Sequence, residues 1–283
     1  MQIELVNQRP EGVPRSPVQC TASDLLCWFG CGMDADEETA DIVFAMRCIR
    51  AGQVLAHQGV PTDKLYFVRA GAFKCLQTDA EGREQVQTFA WPGDAIGLDG
   101  LCDNAYATTA LAIENSTVVV MPIVAATDHV PAMQRLLLHC ASRELQRCGV
   151  ARQAFLALGA DARLARFLLQ LATRQASAGL SGRVVRLSMS RRDIASHLGL
   201  RHESVSRSLS ALERSGCIRV TRRTVEIVDR ADLLDRQHAA RRVPKASSAR
   251  NAPRMPMTAA RHLASKHEAA SLDGAMHSLA LRH

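Results

Sequence analysis

Between Leu187 and Val228 the chain reads LSMSRRDIASHLGLRHESVSRSLSALERSGCIRVTRRTVEIV, and few folds accommodate that order of signals. Ser190 is a strong N-cap residue with Asp193 three positions on, and Ile194 and Leu198 give the following short helix an apolar face. Gly199-Leu200 breaks that helix in a tight turn, and a second helix is expected from about His202 to Arg214, ended by Gly216. At about 100° per residue, Val205, Leu209 and Leu212 fall on one narrow stripe, while Glu203, Ser206, Arg207, Ser210 and Arg214 fall on the opposite arc. A helix that only completed a core would tolerate any polar residues there. This one places a carboxylate, a hydroxyl and an arginine at its N-terminal end, where a recognition helix meets base edges. The segment CIRV-TRR-TVEIV then alternates apolar and polar residues around a basic turn, as a two-stranded wing would. Helix, turn, helix and hairpin together predict a winged helix-turn-helix.

Upstream the pattern changes. From Cys48 to about Pro122, short alternating stretches are punctuated by Gly52, Gly59, Gly71, Gly82 and Gly93, the spacing of a small antiparallel barrel or roll. From Val130 to about Leu158 one long helical pattern carries Met133, Leu136, Leu137, Cys140, Leu145 and Cys148 near heptad spacing, so Met133, Leu137, Cys140 and Cys148 are expected to meet a twin helix. Gly159-Ala160-Asp161 restarts a helix that opens the C-terminal domain. Residues 1–19 hold three prolines and little periodicity, a flexible lead. The acidic segment after Cys31 reads as helical through Met46.

The net charge of +7 is a weak guide. From Gln237 to His283 eight Lys/Arg face only Glu268 and Asp273, which is +6 and leaves about +1 for the rest. That stretch is rich in Ala, Ser, Arg, His and Pro, has no sustained apolar face, and is expected to be disordered. The local cluster Arg191, Arg192, Arg201, Arg207, Arg214, Arg219, Arg222 and Arg223 is the better electrostatic footprint. No run approaches the ~18 apolar residues of a membrane span, and the N-terminus lacks an apolar signal core, so no membrane contact and a cytoplasmic location are expected. The nine cysteines, an odd number, argue for buried thiols and metal ligands rather than a disulfide framework.

The order roll, long helix, winged helix-turn-helix resembles the CRP/FNR family of bacterial transcription regulators over about residues 20–230, most specifically in MSRRDIASHLGLRHESVSRSLSALERSG and GDAIGLDGL. The resemblance implies an α+β chain. Its parts would be an N-terminal cysteine-containing segment (1–47), a β-roll sensor domain of the cyclic-nucleotide-binding type (48–128), a dimerisation helix (129–158), the winged helix-turn-helix (159–230) and a basic tail (231–283). It implies no enzyme, and double-stranded DNA, RNA polymerase and a second copy of the chain as partners. Glu203, Ser206 and Arg207 look like the E-x-x-S-R reader of the FNR branch, whose half-site is TTGAT. Arg207 would then read guanine, and Glu203 would accept from a cytosine amino group. His202, beside them, departs from the small or apolar residue usual in that branch. The DNA backbone would fall to Ser190, Arg191, Arg192, Arg201, Ser204, Arg222 and Arg223.

Two cofactors are weighed through the same resemblance. Aligning GLDGL with the family's GELGL puts Leu98 at the ribose-binding glutamate and Thr108-Thr109 at the phosphate-binding Arg-Ser pair, which argues against cyclic AMP. The FNR branch holds a [4Fe–4S] cluster on three N-terminal cysteines and one in the barrel, and thiolates suit such a cluster. Here the spacing is C-x6-C-x3-C instead of C-x2-C-x5-C. Cys27 aligns best, Cys20 is shifted, and Cys31 sits where the branch has no ligand. The barrel position holds Val119, leaving Cys102, then Cys75, as substitutes. The candidate ligand set is therefore Cys20, Cys27, Cys31 and Cys102. The alternatives are a thiol redox switch or a small molecule in the roll, with His57 and Cys75 as possible haem ligands. Cys48, Cys140, Cys148 and Cys217 read as isolated buried thiols. A cupin-like metalloenzyme would need two converging barrel histidines, and before His129 the chain has only His57.

Overall fold

The computed structural model describes residues 19–31, 42–124, 130–157, 159–177 and 179–237. The expected N-terminal lead, most of the acidic segment after Cys31 and nearly all of the expected tail lie outside the described residues.

A short strand, β1 (Gln19–Thr21), runs into helix α1 (Ala22–Trp28). Thr21 caps the helix: its hydroxyl accepts the Asp24 amide while the Asp24 carboxylate takes the Thr21 amide, so two otherwise orphaned donors are satisfied reciprocally. The roll follows as β2 (Val43–Ile49), β3 (Val54–Ala56), β4 (Lys64–Ala70), β5 (Phe73–Thr78), β6 (Glu84–Ala90), β7 (Ala95–Ile96), β8 (Thr109–Ala112) and β9 (Ser116–Pro122). Its strands form two antiparallel sheets, in the orders β1-β2-β9-β4-β7 and β3-β8-β5-β6. The motif GDAIGLDGL makes a tight corner between them. Gly97 adopts φ +99°, and a Cβ on Gly100 would lie 2.2 Å from the Thr62 hydroxyl and 2.9 Å from the Ala105 carbonyl, so only glycine fits.

The helix expected through Met46 is corrected here: Val43 to Ile49 is strand β2. It pairs with β9 from Ala45–Val120 to Ile49–Ser116 and with β1 from Gln19–Ala45 to Thr21–Val43. The acidic composition upstream suggested a helix; the β-branched and aromatic residues Val43, Phe44 and Ile49 fit a sheet, with Phe44 buried.

Helix α2 (Pro131–Ala157) leaves the roll, and α3 (Ala160–Ser177) opens the C-terminal domain. Strand β10 (Val184–Arg186), α4 (Arg191–Leu198), α5 (His202–Arg214), β11 (Ile218–Thr221), β12 (Thr224–Ile227) and α6 (Arg230–Gln237) complete it. The expected wing is β11-β12, and β10 joins it as a third strand on the β12 edge. A tail from 231 is corrected as well. Residues 230–237 form α6 and pack back on α3, anchored by Leu233, which is fully buried. Burying one leucine is worth roughly 1.5–3 kcal/mol, enough to hold a polar helix that shows no broader apolar face.

The C-terminal domain and the roll share a hydrophobic seam. Leu76, Val86 and Phe89 of the roll pack with Leu164, Phe167, Ile194 and Leu198. A second core joins α1 to α2: Cys20, Leu25, Leu26 and Phe29 meet Phe67, Met121, Met133, Leu136 and Cys140.

Candidate nucleic-acid interface

The two helices of the reading head start differently. At α4, Ser190 accepts the Asp193 amide at 3.1 Å and donates to the Asp193 carboxylate at 2.6 Å, completing a capping box. Its hydroxyl is thus already engaged within the helix start. Gly199 ends the helix in the left-handed region at φ +60°. At α5 the N-cap is Arg201, which offers no side-chain acceptor; its carbonyl takes the Ser204 amide at 2.9 Å, and the His202 and Glu203 amides remain open at the end that carries the positive side of the helix dipole.

Val205, Leu209 and Leu212 are buried against the head's core, together with Ser208. His202, Glu203 and Arg207 are exposed, while Ser204 and Ser206 are half-buried. Arg207 makes one long contact, 3.4 Å to the Ser204 hydroxyl, and Glu203 has no side-chain partner among the described residues. Glu203 and Arg207 are four residues apart, which puts them side by side on the outer face. Arg191 and Arg192 are exposed at the start of α4 and Arg201 at the start of α5, and Arg222 and Arg223 form the exposed turn between β11 and β12. Arg222 sits at φ +52°, a conformation in which an arginine costs roughly 1–2 kcal/mol relative to the right-handed region. Arg219, by contrast, is tied to Glu226 across the wing at 3.0 Å. These exposed side chains are cationic, with Glu203 as a carboxylate among them.

Sequence reasoning missed how the head is seated. Lys74 of β5 pairs with Asp193 of α4 at 2.7 Å. The Val86 amide donates to the Ser196 hydroxyl at 2.9 Å, His197 Nδ1 lies 3.1 Å from the Gln87 carbonyl, and Ser188 donates to Glu114 at 3.0 Å. Asp94, in the motif GDAIGLDGL, is 2% exposed and receives Arg147 of α2 at 2.9 Å and also Arg174 of α3. A charged residue this buried needs cationic partners, and the motif's aspartate was the available signal.

The thiols are placed less favourably. Cys20 is buried on β1, and burial, aided by Asp24, pushes it up to about 11; Cys27 is exposed on α1. Cys31 is half-buried after α1, its thiol raised by burial and partly restored by Arg143. Cys102 is exposed in the loop that follows Gly100. The structure does not bring the four together: among the described residues no three His, Cys, Asp or Glu side chains converge as a metal site. The set does not fit a cluster. Cys75, the next substitute, is buried and pushed up to about 12, burial being the main cause. Of the thiols expected to be buried, Cys140 and Cys217 are, whereas Cys48 and Cys148 are exposed. In the roll, Thr108 donates to Asp99 at 2.8 Å and Thr109 accepts the Gln58 amide at 3.0 Å, so both hydroxyls already have partners.

The long helix also needs correction. Met133 and Cys140, expected to face a twin helix, are buried against their own roll and α1, and Leu137 packs partly inward. Among the described residues of the helix, the exposed large apolar side chains are Leu138 (71% exposed) and Leu145 (74%), which with Ala141 and Cys148 make a stripe spaced three, four and three residues on the outer face. Among the described residues no helix is long and apolar enough to cross a membrane.

A β roll that packs on a long helix through one core and on a winged helix-turn-helix through another defines a DNA-binding transcription regulator. The profile of the Crp-like helix-turn-helix domain matches residues 162–236 and that of the cyclic nucleotide-binding domain residues 46–127. The transcriptional regulatory protein btr of Bordetella pertussis is 34% identical over 77% of this chain and 93% of its own length. The chain belongs to the CRP/FNR family. The anaerobic regulatory protein of Pasteurella multocida is 29% identical over 76% of this chain and 80% of its own. Among solved structures, FixK2 from Bradyrhizobium japonicum superposes with a TM-score of 0.63 at 28% identity, over 71% of this chain and all of that one.

Proposed function

We propose that the chain binds TTGAT-type palindromes as a dimer, regulates transcription together with RNA polymerase, and responds to oxygen or redox state through its N-terminal cysteines. The observation that carries the DNA part is the pair Glu203 and Arg207, exposed side by side at the uncapped start of α5. Arginine to guanine O6/N7 and glutamate to a cytosine amino group are the pairings that geometry favours. The open His202 and Glu203 amides of α5 suit a backbone phosphate, and the wing turn holds Arg222 where glycine would be easier, which is accounted for if its charge reaches the minor groove or backbone. The outer stripe of α2 supplies the dimer contact, and two heads one DNA turn apart match a palindromic site.

The redox part rests on packing. Cys20 and Cys31 belong to the core in which α1 lies against α2, so modification of Cys31 or its exposed neighbour Cys27 would disturb the inner face of the dimer helix. The Pasteurella relative's name, an anaerobic regulatory protein, points the same way. The separation of the four candidate thiols favours thiol oxidation, or a small molecule acting through the roll, over a cluster, and cyclic AMP is not expected as the ligand.

Fluorescence anisotropy with a TTGAT-N4-ATCAA duplex at fixed salt, with reduced and mildly oxidised protein, tests this reading. Affinity equal to that of a scrambled duplex would remove the DNA assignment, and identical binding by both forms would remove the redox assignment.

A further inference from the structure

Between the roll and the reading head lies a cavity of about 640 Å³, a size typical of sites for small organic ligands. One wall is aromatic. Phe89 and Trp91 at the end of β6 meet Phe167 of α3 and His197 of α4, with ring centroids 5.6 Å apart for Phe89–Trp91, 5.1 Å for Phe89–His197 and 5.8 Å for Phe167–His197. Phe89 and Phe167 are buried, whereas Trp91 and His197 are only partly covered and offer ring surface to the cavity. The remaining wall is cationic: five arginines line it against one glutamate, Glu144. Arg147 and Arg174 are answered by Asp94, and Arg147 also by Glu144 at 3.3 Å. Arg143, Arg166 and Arg230 have no carboxylate partner among the described residues; Arg143 makes only a 3.4 Å contact to the Gly93 carbonyl.

Like charges converging on a concave, partly apolar surface repel one another and concentrate anions. Guanidinium groups bind carboxylate and phosphate in a bidentate fashion, and they stack on aromatic rings, as Arg174 already does over Trp91 at 4.8 Å. A solvated cleft between domains needs neither feature. We propose that this cavity is a binding site for a small aromatic anion, a planar ring against Trp91 and His197 with its acidic group among Arg143, Arg166 and Arg230. The site is walled by β6, by α2 and by α3, α4 and α6 of the head, so its occupant contacts all three parts of the chain. A ligand shifts a conformational equilibrium by its differential affinity for the two states. One that bridges β6 and α4 holds the seated arrangement of the head and thereby alters DNA affinity; this coupling alone rests on the DNA-binding reading above.

The chain has two tryptophans, so Trp28→Phe in the full-length protein leaves Trp91 as the sole emitter. The probe is the aromatic sulfonate 1-anilinonaphthalene-8-sulfonate, titrated without DNA. The expected result is saturable binding of one probe per chain with energy transfer from Trp91, weakened at least tenfold by Arg166→Glu and by Arg230→Glu. Arg166→Gln and Arg230→Gln, checked for an unchanged melting temperature, are the milder variants and should weaken it about threefold. Adenosine 5′-monophosphate and naphthalene-2-carboxylate are then added as competitors. Displacement by the first assigns the site to phosphates, and displacement by the second to aromatic acids. Non-saturable binding, no transfer from Trp91, indifference to both charge reversals, or displacement by neither competitor overturns the site. An unchanged affinity for the TTGAT duplex at saturating probe overturns the coupling, and failure of the duplex itself to bind bears only on the DNA-binding reading.

Discussion

Lys74 Nζ of the roll lies 2.7 Å from Asp193 Oδ1 at the start of α4, with the two side chains only 19% and 16% exposed. The pair closes over the hydrophobic seam, and a charge left alone there would be poorly solvated. Removing one partner should therefore cost more than a surface ion pair: Lys74→Ala is expected to destabilise the seated head by about 1–3 kcal/mol. Asp193→Ala should cost more, because it also removes the capping-box carboxylate, worth about 1 kcal/mol alone. Thermal melting of both variants and of the double variant gives the coupling, and the excess for Asp193→Ala should persist in the Lys74→Ala background.

Acid should loosen the same seam. Burial holds His197 below its ordinary 6.5, with the Gln87 and Val86 backbone pulling the other way. The unfolded chain therefore takes up the proton first as pH drops. The contact is fully stable above about 6.5 and weakens as pH falls through the depressed value. Asp193 acts in the same direction at lower pH. Burial raises it, but hydrogen bonds from Lys74 and Ser190 outweigh burial and leave it below 3.8, so its contribution is present above that value and lost beneath the depressed one. Hydrogen-exchange protection at β6 and α4, corrected for the intrinsic exchange rate, should fall as pH drops below about 6.5, and His197→Gln should remove that step.

The base-reading and backbone arginines should separate by salt dependence. Arg207→Ala is expected to weaken binding to the TTGAT duplex by about 1–3 kcal/mol and to relax the preference at the guanine. Arg222→Gly relieves the left-handed strain, so its melting temperature should hold or rise. Its affinity should drop about equally for all sequences, with a salt slope smaller by about one. Anisotropy titrations at several salt concentrations read both.

Helix α2 offers a comparison of its two faces. Leu138→Glu and Leu145→Glu lie on the outer stripe and should convert the dimer to monomer with little change in fold, as seen by sedimentation. Met133→Ala empties a fully buried site and should cost about 2–5 kcal/mol of stability while leaving association at high concentration intact.

What the sequence conveyed well was local. The capping box at Ser190, the turn at Gly199, the stripe Val205, Leu209 and Leu212 and the basic hairpin are each set by residues a few positions apart. What it hid was long-range. Lys74 and Asp193 are 119 residues apart, and nothing near either one names the other. Strand β2 follows an acidic stretch whose composition extended a helical reading as far as Met46, and the strand's identity depends on pairing with β9. In α2 both Met133–Leu136–Cys140 and Leu138–Ala141–Leu145–Cys148 repeat at intervals of three and four, so spacing alone could not say which row the roll would cover. The cysteines were legible as residues but not as a site, because ligand geometry is set by the fold.

The bare start of α5 has a consequence for the complex. With arginine at its N-cap, that helix has no side-chain oxygen to receive the His202 and Glu203 amides, while its neighbour α4 closes itself with Ser190 and Asp193. In the proposed complex a DNA phosphate stands where a capping serine would otherwise be. The nucleic acid then supplies part of the protein's secondary structure, and the recognition helix is completed only when it is bound.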